Sequence, residues 1–483
     1  MEWKWNGMEK KKQITDSISS KQVIGLIVAC LLYIVVRLLP LNGLEPTGQK
    51  ALAALAWMVV ILIGNCLSTM LSTLIFAALI ILTGVMPQGA LFAAFGTSPF
   101  LLVLGLTIVA QGMSKTNLGA RVAYGLMRTI GRTPALMLLA IMLTGGLLSA
   151  FIANLPALLA VCPIIISVLK ALHEEPGTSR LGKAMFIGLI WAGGAGGLCF
   201  ISSAATNAAG VGAIASATEG AITVTFSQFA TIGIPTGIVM LLSGWIFLSI
   251  WFGLFRKDSV SIDMEAIQPE HAKLPRMDGT EIRYAVYLIA MVACFFLGGN
   301  YGIMPPTIGL VFAALVICPK IGVVKAEDAL RAQNWGMLFQ IGMFVGFAGA
   351  IANTGLGEWL ATVLFGKMNI SSPFVLLVVI TCLGHVVNIL VPGGGAGLVV
   401  MPAVMAVSAM CGINTAYVGL MMVFVVAWSQ LMPVQPQYLV VKGNTAGYMQ
   451  VKDFALPNIL ITIIWTLLLV PLFYAVAPLA GLL

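Results

Sequence analysis

Long apolar runs are the feature that most constrains this chain. A helix needs about 20 apolar residues to cross the roughly 30 Å hydrocarbon core of a bilayer, and the stretches that qualify include 23–40, 69–86, 229–255, 284–299 and 455–480. Only 9% of the 483 residues are charged, whereas a water-soluble domain carries about 25%. Because backbone groups in lipid must be satisfied within their own segment, we expect an all-α polytopic membrane protein with about ten to eleven spans and two re-entrant segments.

The basic residues indicate the orientation of the chain in the membrane. Three lysines at 10–12 precede the first apolar run, which places the N-terminal segment 1–22 in the cytoplasm. Later basic clusters, Lys115 to Arg132 and Arg256 to Arg276, are expected on the same side. The net charge of +8 therefore reports topology and predicts no nucleic-acid partner. No small-residue cleavage site follows the first apolar run, so no cleavable signal peptide is expected.

The cysteines predict neither disulfides nor metal chemistry. All eight are scattered, mostly inside apolar runs, and none forms a C-x-x-C pair. They are expected to be small packing residues. No cofactor and no transition metal is expected.

One long polar stretch, from Arg256 to Arg283, interrupts the apolar pattern near the middle of the chain. A composition shift of this kind marks a linker between two halves. The chain is therefore predicted to consist of a cytoplasmic N-terminal segment, a first transmembrane half, a cytoplasmic linker and a second transmembrane half, with bounds 1–22, 23–255, 256–283 and 284–483.

The two halves resemble each other weakly but in register. Thr116–Gly119 and Thr354–Gly357 are 238 positions apart. An apolar run follows each and ends in a helix-breaking cluster, Ala153–Pro156 in the first half and Pro392–Gly395 in the second. A second polar break then follows in each half, covering 202–207 and 435–445. Three landmarks in one order, occurring twice, indicate an internal repeat.

Interrupted apolar segments at matching positions are typical of the binding site of a secondary transporter. Unwound backbone at membrane depth exposes N–H and C=O groups, which persist only where they line a cavity or hold a ligand. The alternative is a simple Gly/Pro kink or a close helix contact. The paired breaks favour a site, and they predict two inverted-topology repeats, each with a re-entrant helical hairpin and a discontinuous helix.

The first half supplies polar side chains to this predicted site. Asn154 precedes Leu155-Pro156, so it can cap the second arm of the hairpin and direct a positive helix end toward an anion. Its carbonyl oxygen could instead bind a hard cation, or the residue could be only a cap. Around the next break, the side chains of Ser202, Ser203, Thr206 and Asn207 could form an oxygen cage for Na⁺. Ordinary helix contacts are the alternative for these hydroxyls.

The second half supplies mostly backbone groups. Its glycine run offers N–H and C=O groups that could form an anion nest or bind a cation. Gln435 and Gln437 add amides in the later break. The ionisable residues His385 and Lys442 lie in or beside apolar segments, where they could balance substrate charge or carry a proton. Lys442 could instead snorkel to the interface.

With these landmarks placed, the chain resembles the divalent anion/sodium symporter (DASS) family of the ion transporter superfamily, over nearly its whole length. Ser149–Leu155 resembles the family's first hairpin tip, where Ser-Asn-Thr is usual. Gly196–Ala208 is similar to the glycine-rich stretch that ends in Ser-Pro-Pro-Asn-Ala. Asn353–Ala361 and Met432–Val434 resemble further family segments.

The resemblance implies a homodimer in which a mobile transport domain moves against a scaffold domain as an elevator. It also implies di- or tricarboxylate or sulfate substrates, driven by Na⁺ or by exchange. The chain departs from the family pattern at both tips, since only the asparagine of the first triplet is kept and Pro392-Gly393-Gly394 replaces the second. These departures leave a sulfonate, a monocarboxylate or another small organic anion open as the substrate.

We therefore predict a secondary active transporter of small organic anions in the bacterial inner membrane, coupled to Na⁺ or to H⁺. The predicted substrate-binding residues are Asn154, Leu155, Thr206, Pro392, Gly393, Gly394, Gly395, Gln435 and Gln437. The predicted cation-binding residues are Asn154, Ser202, Ser203, Asn207, Gly393 and Thr445.

The alternatives are an anion exchanger, an arsenite-type efflux carrier of the same superfamily and, remotely, a membrane-embedded enzyme. An enzyme of that kind would need clustered acidic or histidine residues at a membrane face. The three histidines, 173, 271 and 385, are well separated, and no Asp-rich motif occurs. The chain is therefore not expected to be an enzyme.

Overall fold

The computed structural model describes residues 19–151, 154–218, 220–256, 262, 274–366, 372–390, 395–429, 431 and 435–481. Every regular element in these residues is helical. The helices up to the central linker are α1 Ser20–Leu38, α2 Pro46–Gly64, α3 Thr69–Leu82, α4 Gln88–Ala93, α5 Ser98–Ser114, α6 Leu118–Ile130, α7 Pro134–Phe151, α8 Asn154–Ala171, α9 Arg180–Gly197, α10 Ala205–Ala217 and α11 Phe226–Trp251. The helices after it are α12 Gly279–Gly298, α13 Pro305–Ile317, α14 Ala326–Arg331, α15 Trp335–Asn353, α16 Leu356–Phe365, α17 Pro373–Leu390, α18 Gly395–Met410, α19 Thr415–Trp428, α20 Pro436–Gly443 and α21 Val451–Val476.

The order of helices repeats. After α1, the series α2–α11 is followed by α12–α21 with corresponding lengths. The short helices α4 and α14 each have six residues, and the long helices α11 and α21 each have 26. The repeat inferred from three sequence landmarks therefore extends over ten helices in each half. Each half contains one hairpin, α7–α8 or α17–α18, and one broken helix, α9–α10 or α19–α20, so the predicted fold class is confirmed.

Large apolar side chains are exposed on the outside of the protein because its helices span a membrane. Seven described helices are long and apolar enough to span a bilayer, or up to nine if two bent helix pairs each count as one span, and four shorter apolar helices accompany them. Large apolar side chains on their outer faces are exposed, among them Leu82, Ile289 and Leu467 at 84%, 72% and 70%. In water such a surface would aggregate. It faces lipid here, as expected for about 11 transmembrane segments.

The helices form two packing groups. In one, α7 packs on α9, α9 on α11, and α11 on α21, with α18 and α19 alongside. In the other, α1 packs on α2, α5 on α13, and α3 on α15. The groups meet where α5 and α15 contact α10, and where α15 and α16 contact α18. Both hairpins and both broken helices belong to the first group.

Glycines set the closest approach inside the first group. A Cβ added to Gly196 of α9 would overlap the backbone carbonyl of Gly146 in α7. A side chain at position 196 would therefore push the two helices apart, because a carbonyl fixed in a helix cannot move aside. The glycine-rich end of α9 brings the break between α9 and α10 against the end of the first hairpin arm.

Candidate functional site

A cavity of about 330 Å³ lies where the two packing groups meet. This volume falls within the roughly 300–1,000 Å³ of small-molecule sites. Six of the predicted site residues line it, with contributions from both halves: Asn154, Leu155, Ser202, Thr206, Gln435 and Gln437. No described lining residue carries a formal charge. A ligand in this cavity would therefore be held by amides, hydroxyls, backbone groups and helix ends.

Four helices begin at the wall of this cavity. Lining residues include Asn154 at the start of α8, Thr206 at the start of α10, Asn334 before α15 and Gln437 at the start of α20. Each helix N-terminus carries a partial positive charge of roughly half a unit and unsatisfied N–H groups. Converging N-termini make the cavity electropositive without a cationic side chain, which suits an anion.

Local sequence explains why the helices begin at these positions. Pro156 stands in the first turn of α8, and Pro436 is the first residue of α20. A proline at these positions loses no intrahelical hydrogen bond, because the first N–H groups have no helical partner. Asn334 caps α15 and accepts a hydrogen bond from the Met337 backbone N–H at 3.1 Å.

The break between α9 and α10 is held by side-chain hydrogen bonds. Asn207 Nδ2 donates to the carbonyl oxygens of Gly197 at 2.6 Å and Phe200 at 2.9 Å. Ser203 Oγ donates to the Ala150 carbonyl at 2.7 Å and accepts from the Phe200 N–H at 3.1 Å. These bonds satisfy the unwound backbone and join the break to the end of α7. The hydroxyl hydrogen and one lone pair of Ser203 Oγ are therefore used structurally, and one lone pair remains.

Three buried oxygens near this junction have no partner among the described residues: Ser149 Oγ, Asn154 Oδ1 and Asn207 Oδ1. Gly197 brings the two asparagines together, because a Cβ there would lie 2.6 Å from Asn154 Nδ2, while Asn207 holds the Gly197 carbonyl. Uncharged oxygen donors suit hard cations rather than transition metals. The donor set therefore fits Na⁺. Ser149 was not among the predicted cation ligands, although it lies one turn before the hairpin tip.

The second half places an amide network at the corresponding break. Gln435 Nε2 donates to Asn388 Oδ1 at 3.2 Å, and Asn388 Nδ2 donates to the Val426 carbonyl at 3.2 Å. Asn388 is buried in α17 and was missed by the sequence reasoning, although an asparagine in an apolar run is a usable signal. Pro392, Gly393 and Gly394 lie outside the described residues. Gly395 is the first residue of α18.

The two predicted charge partners lie away from the lining residues. His385 contacts Ser429 Oγ through Nδ1 at 2.8 Å and Thr466 Oγ1 through Nε2 at 2.7 Å. Lys442 is in the last turn of α20, where its carbonyl accepts a hydrogen bond from Thr445 Oγ1 at 3.2 Å. Thr445 is buried and is likewise absent from the cavity wall. The predicted ligand roles of these three residues stay predictions.

Part of the wall comes from residues that sequence reasoning did not select. Thr107 and Gln111 of α5 line the cavity, as do Gln333 and Asn334 before α15. They belong to the second packing group and reach the cavity because α5 contacts α8 and α10, and α15 contacts α10. The available sequence signal was a Gln-Asn pair at a helix start, beside an apolar run.

Comparison with known proteins agrees with this architecture. Residues 20–479 match the family model described as the sodium:sulfate symporter transmembrane region. The chain is 26% identical to the sodium-dependent dicarboxylate transporter SdcS of Staphylococcus saprophyticus, over 77% of this chain and 75% of that protein. It is 23% identical to SdcS of Staphylococcus aureus strain USA300, over 97% and 93% of the two chains.

Two solved structures share the fold at low sequence identity. The YdaH transporter of Alcanivorax borkumensis superposes with a TM-score of 0.52 at 13% identity, covering 96% of this chain and 98% of that one. MtrF of Neisseria gonorrhoeae, described as one of a class of antimetabolite efflux pumps, gives 0.57 at 13% identity, covering 96% and 95%. At this identity the likeness concerns the fold alone.

Proposed function

Because the chain belongs to the sodium:sulfate symporter family, the divalent anion/sodium symporters, we propose that it moves a small organic dianion across the membrane together with Na⁺. The observation that carries the proposal is the convergence of four helix N-termini on one uncharged cavity. Such a site stabilises an anion through backbone N–H groups and helix dipoles. The relatives named as sodium-dependent dicarboxylate transporters support the same substrate class.

Asn154 connects the two ligands in this proposal. Its side-chain oxygen belongs to the buried set that fits Na⁺, and its backbone begins the helix whose N-terminus faces the anion. A cation beside Asn154 would add positive potential to the anion site and fix the start of α8. Each ligand would then strengthen the binding of the other by the same factor. This reciprocity is the thermodynamic basis of coupled transport.

The lining also bears on which anion is carried. Leu155 and Pro156 supply no hydroxyl donor at the first tip, so the side-chain donors come from elsewhere on the wall, among them Ser202, Thr206 and Gln437. We propose a C4 dicarboxylate as the first candidate because the cavity has polar groups on walls from both packing groups. A sulfonate or monocarboxylate would use the helix ends but leave part of the polar lining unpaired.

We propose that alternating access moves the group of α7–α11 and α17–α21 against the group of α1–α5 and α12–α16. Helix α6 lies between them, since it packs on α7 and α8 and pairs with α12 through Arg121 and Glu281. The cavity lies between these groups, so a relative displacement would expose it to either side in turn. The proposal includes a homodimer, an N-terminus in the cytoplasm and location in the bacterial inner membrane. Exchange, coupling to H⁺ and arsenite-type efflux are the competing modes.

The test is uptake of radiolabelled succinate into proteoliposomes containing the purified protein. An inward Na⁺ gradient is expected to drive accumulation, whereas choline with an inward proton gradient is not. Asn154→Ala is expected to raise the Na⁺ concentration for half-maximal uptake and the KM for succinate together, because it touches both proposed sites.

Other outcomes of this assay would contradict the proposal. Uptake that depends only on internal succinate would establish exchange instead of symport. Failure of uptake and of binding across dicarboxylates, sulfonates and oxyanions would overturn the carrier assignment. A change in Asn154→Ala confined to one of the two ligands would overturn the shared role of this residue.

A further inference from the structure

The amide of Gln333 is buried at the cavity wall and has no hydrogen-bonding partner in the described part of the chain. Gln333 is only 7% exposed, and neither Nε2 nor Oε1 has a hydrogen-bonding partner among the described residues. Burying an amide without a hydrogen bond costs free energy. A buried polar group in this state calls for an explanation, such as a bound water, ion or ligand. Gln333 lines the cavity, so an oxygen of a bound anion is one group that could accept a hydrogen bond from Nε2.

Gln333 also has a defined position relative to the predicted half-sites. It directly precedes Asn334, the cap of α15, and it belongs to the group that contains α5. Asn154, Thr206 and Gln435 come from the other group. A ligand that reaches both Gln333 and these residues would therefore bridge the two groups whose relative movement is proposed to carry it.

We propose that Gln333 is a specificity-determining residue that contacts the substrate, with Nε2 donating to an oxygen of the second acidic group of a dianion. This inference rests on the proposed function. The first acidic group would be held by the N-termini of α8 and α10, which lie at the first half-site. A neutral amide is suited to a contact that must break during transport, because breaking its hydrogen bond to the substrate does not separate two opposite charges.

The bridging position makes the contact state-specific. When the two groups move relative to each other, Gln333 stays with its own group and the substrate leaves it. When substrate is bound, the residue therefore stabilises the arrangement described here over the other arrangements of the cycle. The stabilisation equals the difference in the free energy of its substrate contact between the arrangements. It follows that, in this state, Gln333 discriminates substrates with two acidic groups from substrates with one.

The experiment compares Gln333→Leu with Gln88→Leu in the full-length protein. Gln88 is an exposed glutamine of the same packing group, at the start of α4, and serves as the matched control. Uptake kinetics for succinate are measured in proteoliposomes with saturating Na⁺, and the Tm in detergent is measured with and without succinate.

For Gln333→Leu, the KM for succinate is expected to rise about tenfold, with a smaller succinate-induced increase in Tm. The Tm without substrate is expected to stay unchanged or rise, because an unpartnered buried amide has been replaced by an apolar group. Competition by butyrate, a one-ended analogue, is expected to change less than twofold. Gln88→Leu is expected to match the wild type throughout.

A purely structural glutamine would behave differently. In that case Gln333→Leu would lower the substrate-free Tm and leave the KM within twofold, and the inference would be wrong. Equal losses for succinate and butyrate would remove the specificity role. If Gln333→Leu cannot be purified, Gln333→Asn retains the amide with a shorter reach, and an unchanged KM in that variant also contradicts the proposal. Failure of the wild type to bind or take up any anion would instead overturn the proposed function, and this inference with it.

Discussion

His385 Nε2 lies 2.7 Å from Thr466 Oγ1, and the hydrogen of that hydroxyl is already donated to the Thr462 carbonyl at 2.8 Å. The Thr466 oxygen must therefore accept, which places the imidazole proton on Nε2. Nδ1 is then the acceptor for the hydroxyl of Ser429 at 2.8 Å. The neutral ring, in α17, ties α21 to the end of α19, where the break in the second broken helix begins.

This geometry predicts that His385 stabilises the broken helix in its neutral form. His385→Asn, which can keep a bond to Ser429, is expected to lose about 1 kcal/mol of stability and to retain Na⁺-driven uptake. His385→Leu leaves the buried Ser429 hydroxyl without its acceptor and is expected to lose about 1–3 kcal/mol. Thermal unfolding in detergent and succinate uptake measure the two effects. Abolition of uptake in both variants, with stability unchanged, would support the proton-carrying role instead.

Ser149 is predicted to be a Na⁺ ligand. Ser149→Ala should raise the Na⁺ concentration for half-maximal uptake by about tenfold, while the unfolding temperature without Na⁺ changes little, because its oxygen has no partner among the described residues. Thr144→Val is the matched control, since Thr144 is also buried in α7 but donates to the Ala140 carbonyl at 2.8 Å. The control is expected to change stability without changing Na⁺ dependence. The reverse pattern would exclude Ser149 from the cation site.

Arg121 and Glu281 form an ion pair that is predicted to stabilise the junction of α6 with α12. Arg121 Nε lies 2.7 Å from Glu281 Oε1, and the Glu281 side chain is only 4% exposed. The hydrogen bond that Arg121 donates to the Glu281 carboxylate raises the pKa of Arg121. Because Arg121→Gln leaves a buried carboxylate without its cation, we expect a loss of about 1–3 kcal/mol, discounted for the partial exposure of the arginine.

The control for this pair is available in the same protein. Lys115 and Asp328 lie 3.3 Å apart with side chains 51% and 47% exposed. An exposed pair of this kind contributes less than about 1 kcal/mol, so Lys115→Gln should barely change the unfolding temperature. Equal losses in Arg121→Gln and Lys115→Gln would mean that burial does not set the strength of these pairs.

Gly196 is predicted to be intolerant of any side chain. Gly196→Ala would drive a methyl group into the Gly146 carbonyl, and we expect a loss of about 3 kcal/mol or more, seen as poor recovery of folded protein. Gly125 of α6 has open space around an added Cβ. Gly125→Ala should therefore be neutral or stabilise the helix by up to about 1 kcal/mol. Size-exclusion profiles and thermal unfolding distinguish the two variants.

Much of the fold was predictable because lipid imposes few choices. Apolar runs had to be helices, and the paired breaks indicated both hairpins and two residues of the cavity wall, Asn154 and Ser202. The residues that were missed depend on tertiary packing. Gln333 and Thr107 reach the cavity because α5 contacts α8 and α10 and α15 contacts α10. No local sequence pattern indicates these contacts between distant helices. Asn388 is linked to the cavity by its hydrogen bond with Gln435, which lies 47 positions away in the sequence.

The uncharged lining of the cavity has an electrical consequence. Because no described lining residue carries a formal charge, the empty binding site itself would carry no net charge across the membrane in the proposed movement. The membrane potential, worth about 2.3 kcal/mol per elementary charge per 100 mV, then acts only on the loaded form. A dianion transported with two Na⁺ would cross electroneutrally. A dianion transported with three Na⁺ would carry one net positive charge inward. The charge moved per substrate molecule would therefore give the number of sodium ions transported with it.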